Sequence, residues 1–117
     1  MKDIQYRLYY DEDYEDKIEE LKKVSNIKKV IINAINYFND DNIKLYISTK
    51  KNKKFMIKNP EGKWISFGQM NPPMEDYTKH QDKDRRDAYL ARATKIKGNW
   101  SSNKYSPNRL SISLLCN

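Results

Sequence analysis

Three glycines in 117 residues, Gly62, Gly68 and Gly98, are too scattered to build a phosphate loop or a dinucleotide-binding fingerprint, both of which need clustered glycines. Nucleotide hydrolysis through either device is therefore not expected. The single cysteine, Cys116, sits beside the C-terminus and cannot close an internal disulfide, which agrees with a reducing environment. One cysteine and one histidine, His80, leave a structural zinc site short of ligands. No nucleophile-elbow pattern supports acyl transfer by a serine. No apolar run approaches the roughly 20 residues that span a bilayer, and MKDIQYRLYYDEDYED has no apolar signal-peptide core, so the chain is expected to stay in a cytosolic compartment.

What is present is charge. Charged residues make up 33% of the chain and apolar residues 38%, enough Ile, Leu, Tyr and Phe for one modest core and a single domain over 1–117. The net charge of +7 is uneven: residues 1–42 hold 7 Lys/Arg against 10 Asp/Glu, a net of −3, whereas residues 43–117 hold 16 against 6, a net of +10. A basic second part points to nucleic acid or another polyanion, because neutralising phosphates releases counterions. The competing explanation is a solubilising lysine surface. The acidic first part is also a candidate docking surface for a neighbour's basic half, which would give a homo-oligomer.

The patterning predicts an α+β fold: an N-terminal strand and helices, a three-stranded antiparallel meander, and C-terminal helices. Ile4, Tyr6, Leu8 and Tyr10 alternate as one side of a strand. A helix is expected from about Asp13, with a weak point at Ser25-Asn26. Beyond it Ile27, Val30, Ile31, Ala34, Ile35 and Phe38 form a core stripe that NDDN ends. Strands are expected near 44–48, 54–58 and 63–67, the last two joined through NPEG, where Pro60 presets a turn and Gly62 takes a left-handed conformation. Gly68–Met74 reads as a connection. Asp82 is placed as the N-cap of a helix over 83–97, with Tyr89, Ala93 and Ile96 on its packed stripe, Leu90 beside it, and Arg85, Arg92 and Lys95 on another stripe. Ser106-Pro107 starts a last helix that buries Leu110 and Leu114.

Two chemistries compete for DYTKHQDKDRRDAYLAR, residues 76–92. In one, His80 activates water and Asp76, Asp82 or Asp84 holds a divalent cation, making a metal-dependent nuclease. A lone histidine without a second ligand at helical spacing favours a structural role, with Asp76 and Asp82 as caps. In the other, Lys50, Lys51, Lys53 and Lys54 on the first hairpin, together with Lys63, Lys79, Arg85, Arg86, Arg92 and Lys95, contact phosphates. Aromatics interleave with these cations, but Phe55, Trp64 and Tyr89 are read as core residues.

At GKWISFGQMNPPMEDYTKHQDKDRRDAYLAR the chain resembles a family of small basic proteins of unknown function from large nucleocytoplasmic DNA viruses. The matching residues are Gly62, Lys63, Phe67, Gly68, Asp76, Tyr77, Thr78, His80, Asp82, Arg85, Tyr89 and Arg92. A second likeness lies in GNW and SPNRLSISLLC, although Leu114-Leu115-Cys116 stands where the family has Leu-Leu-Trp. The resemblance implies a viral protein of the host cytoplasm and its viral factory, with the virion as a further location, and supplies no catalytic residues. The expected function is non-enzymatic binding of viral DNA or RNA without a cofactor. The alternative is a virion structural or scaffold protein that binds an acidic viral protein.

Overall fold

The computed structural model describes residues 6–10 and 14–117. Its architecture is α+β: a three-stranded antiparallel sheet with helices before and after it. Helices α1 (Glu15–Val24) and α2 (Ile27–Phe38) come first, separated at Ser25-Asn26. The break has a local cause. Ser25 is extended, and the Asn26 side chain accepts the Lys29 amide, so it ends one helix and caps the next. Asn39 closes α2 in the left-handed region, a conformation asparagine tolerates.

Strands β1 (Tyr46–Ile47), β2 (Lys53–Lys58) and β3 (Trp64–Gln69) pair in sequence order, with Tyr46 opposite Met56, Phe55 opposite Phe67 and Lys58 opposite Trp64. The turn between β2 and β3 forms as expected, with Gly62 at φ +82°. β3 runs further than expected, through Gly68 at φ +84° to Gln69. Only glycine suits Gly68. A Cβ there would lie 3.0 Å from Leu115 Cδ1 and 3.1 Å from Lys54 Cβ.

One apolar core joins the two halves: Leu21, Val30, Ile31 and Ala34 pack with Leu45, Ile47, Phe55, Ile57, Phe67 and Met70, and with Leu110, Leu114 and Leu115. The acidic and basic parts are thus interleaved in space. Helix α3 (Tyr77–His80) is one turn capped by Asp76, and α4 (Lys83–Ala93) is capped by Asp82. Helix α5 (Pro107–Leu110) starts at Ser106, whose hydroxyl accepts the Arg109 amide, and continues as a π-helical turn over Ser111–Leu115.

Three expectations are corrected. Among the described N-terminal residues there is no strand, only a parallel bridge from Tyr9 to Tyr46; Ile4 and Asp13 lie outside the described residues. Helix α4 stops at Ala93 because the Thr94 hydroxyl takes the Leu90 carbonyl, and the Asn108 side chain takes that of Ala93. Ile96 is consequently 53% exposed rather than packed, and Trp100 Nε1 donates to its carbonyl.

Candidate functional site

The DYTKH segment is built around Asp76. Its Oδ1 accepts the Thr78 amide and hydroxyl, while Oδ2 accepts the Ser25 hydroxyl and lies 2.8 Å from Lys54 Nζ. Lys54 is buried, with its side chain 1% exposed, and its ammonium also donates to Ser25 Oγ and the Val24 carbonyl. Its assignment as a phosphate contact is therefore wrong. Alternation along KKFMIK places it on the outer sheet face, but the C-terminal end of α1, Asp76 and Leu115 cover that part of the face. Burial lowers the Lys54 pKa from its ordinary value, and the Asp76 carboxylate opposes that shift.

His80 is fixed as a turn residue. Its Nδ1 accepts the Asp82 amide at 2.8 Å, and its ring stands edge-on to Tyr77. The Asp82 carboxylate accepts the Asp84 and Arg85 amides. Asp76 and Asp82 are thus held in caps, and among the described residues no three His, Cys, Asp or Glu side chains converge to hold a metal ion.

Around this segment lies a cleft of about 500 Å³. Its apolar lining includes Met74, Tyr77, Ala88, Tyr89 and Leu115, and five cations, Lys53, Lys54, Arg85, Arg86 and Arg92, outnumber the acids Glu75 and Asp76. Gly68, Asp76, Tyr77, His80, Arg85, Tyr89 and Arg92 all line it, so most of the resemblance motif converges on one depression. The cations differ in freedom. Arg86 is pinned: its Nε donates to the Cys116 carbonyl and its guanidinium sits 5.3 Å from the centre of the Tyr77 ring, so it braces the wall rather than standing free for a ligand. Arg85 is exposed, with only a 3.8 Å approach to Glu75. The side chains of Lys53 and Arg92 have no hydrogen-bond or ion-pair partner among the described residues.

The other predicted cations do not join them. Lys50 and Lys51 lie exposed in the β1–β2 turn, where Lys17 Nζ ties α1 to the carbonyls of Ser48 and Lys50. Lys63 sits at the opposite end of β2 from Lys53, in the β2–β3 turn. Lys79 borders a separate depression with Lys22, Ser25 and Asn26, and Lys95 lies beyond the end of α4. The aromatics divide as well: Phe55 is fully buried, Tyr89 is half-buried at the cleft, and Trp64 is 43% exposed.

Sequence reasoning missed the C-terminal wall, formed by Ser111, Leu115 and Cys116. The Cys116 thiol is buried and its pKa is pushed up to about 11, first by burial and then by the Asp76 carboxylate, against the pull of Arg86 and Lys54. Burial likewise raises Tyr89, with Cys116 adding to the effect.

Fold and cleft together define a small α+β protein with a cationic, aromatic-lined depression between a sheet end and a capped helix. Residues 43–93, a little under half of the chain, match the model of a family of unknown function (DUF5754). That span covers β1 to α4 and most of the cleft, but neither the N-terminal helices nor the C-terminal wall. No curated protein and no solved structure matches the chain.

Proposed function

We propose that the protein binds nucleic acid without catalysing a reaction on it, and that Lys53, Arg85 and Arg92 contact phosphates at the cleft. The observation that carries this reading is the convergence of these three accessible cations beside a pocket lined by Tyr77, Tyr89 and His80. Guanidinium groups pair well with phosphate, and aromatic walls suit sugars and bases. The net charge of +10 over residues 43–117 adds long-range attraction. The resemblance described above makes viral DNA or RNA the natural ligand, met in the host cytoplasm or in virions.

Three phosphate contacts imply a salt slope of about −2.7 in log K against log salt for duplex DNA, or an affinity loss of about 40-fold between 50 and 200 mM. The test is fluorescence anisotropy with random-sequence duplex and single strands over that range, for the wild type and for Arg85→Ala/Arg92→Ala. The double substitution should weaken binding to both forms and reduce the slope by about 1.8. Salt-independent binding, or binding that ignores both arginines, refutes the proposal. The rival, a scaffold protein for an acidic viral partner, then becomes the better reading.

A further inference from the structure

The outer face of the sheet, which gives Lys54 and Gly68 to the cleft at one end, continues beyond them toward the other. Register puts Tyr46, Met56 and Ser66 in one cross-strand row and Lys58 opposite Trp64 in the next, all on the face turned away from Phe55, Ile57 and Phe67. The bridge to Tyr46 adds Tyr9 to the same edge. Three rings therefore run side by side across the open end of this face. Tyr9 and Tyr46 have centroids 5.5 Å apart, and Tyr46 and Trp64 meet at 4.7 Å in a T-shaped contact.

Cations are threaded through this row. Arg7 and Lys44 lie 4.7 and 5.5 Å from the centre of the Tyr9 ring, and Lys58 lies 5.6 Å from that of Trp64. Beside the rings is a shallow depression of about 520 Å³ lined, among the described residues, by Arg7, Leu8, Tyr9, Tyr10 and Tyr46. Trp64 keeps 43% of its surface in water, an unusual position for an indole on a small sheet, and its Nε1 has no partner among the described residues.

We infer that this face is a stacking platform for unpaired bases, so that the preferred ligand is single-stranded nucleic acid; the inference rests on the nucleic-acid reading of the cleft and sharpens it. Every base has a π-face that an accessible ring can cover, here the exposed Trp64 and the half-buried Tyr9 and Tyr46, and the interleaved Lys and Arg side chains are placed for the phosphates between the bases. A duplex offers only its backbone to such a surface, because its bases are already stacked on one another. A second copy docked through this same face is a poorer occupant, since Arg7, Lys44 and Lys58 would meet their own like charges, and one docked through its acidic helices would leave the rings without stacking partners. An acidic peptide would use the cations but leave the rings without stacking partners.

The experiment uses the full chain with labelled 12-mers of deoxythymidine and of uridine and a 12-base-pair duplex, at one low salt concentration. Trp64→Ala and Tyr46→Ala should each weaken single-strand binding about 10-fold and change duplex binding less than 2-fold. In the Trp100→Phe variant, where Trp64 is the sole tryptophan, saturating single strand should quench the emission. Thermal melts of each variant confirm that the fold is retained. If duplex binds and depends on Arg85 and Arg92, but single strands bind no tighter and leave Trp64 emission unchanged, the platform is refuted while the cleft reading stands. If neither form binds the wild type, both fail together.

Discussion

Replacing Asp76 by asparagine keeps an acceptor for the Thr78 amide but removes the negative charge facing Lys54. The ammonium it leaves behind has 1% of its side chain in water, so resolvation cannot rescue it without opening the fold. Breaking a buried pair from one side costs about 3–5 kcal/mol. Because Ser25 Oγ and the Val24 carbonyl still accept from Nζ, the lower end applies, about 3 kcal/mol, or a fall in Tm of about 12 °C for a chain of this size. Urea denaturation followed by circular dichroism measures it. The double variant Lys54→Met/Asp76→Asn removes the stranded charge and should recover about 2 kcal/mol of the loss.

The pH dependence follows from the direction of the Lys54 shift. A lysine whose folded pKa lies below 10.5 binds its proton more weakly in the folded chain than in the unfolded one. Its cost is then fully present at low pH and is relieved as pH climbs from the folded pKa toward 10.5. Without Asp76 the folded pKa falls further, so the window widens. The deficit of Asp76→Asn should shrink as pH rises from neutral toward 10.5. A deficit below about 1 kcal/mol at pH 7, or one that is constant with pH, would show that Lys54 is not held as a buried charge.

Two further outcomes are expected. Gly68→Ala combines left-handed strain with overlap against Leu115 and Lys54 and should cost about 2–4 kcal/mol, whereas Gly98→Ala, at φ +110° with nothing within 4 Å of the new Cβ, should cost only the strain of about 1–2 kcal/mol. Equal losses in urea denaturation would contradict the close approach at Gly68. A Cys116 thiol whose pKa is about 11 rather than 9.0 has about 100-fold less thiolate at pH 8, so iodoacetamide should alkylate the native protein about 100-fold more slowly than the unfolded chain. Comparable rates would mean that the thiol is not buried.

Local signals in the sequence carried the elements well. The Ser25-Asn26 break, the NPEG turn, and the caps at Asp82 and Ser106 are each decided by a few adjacent residues, and each forms as expected. The site was harder to read because its decisive contacts are distant. Lys54 looks like its solvated neighbours, and only partners 22 to 30 residues away bury it. The same holds for the cleft wall, since the carbonyl that fixes Arg86 lies 30 residues downstream. Trp64 was placed in the core on residue type, yet its register opposite Lys58 puts it on the outer face. Alternation shows that two faces exist but not which of them the rest of the chain covers.

The knot of Val24, Ser25, Lys54 and Asp76 bears on how such a protein can be divided or borrowed from. The family-like stretch 43–93 contains both ionic partners, but two of the acceptors for its buried ammonium come from the end of a helix outside that stretch. Its Phe55 and Phe67 likewise share one core with Leu21, Val30 and Ile31. Excised at Ile43, it would carry a half-solvated lysine into an uncovered core. Any protein that inherits this segment with its lysine and aspartate must therefore also inherit, or reinvent, a helix end pointed at them.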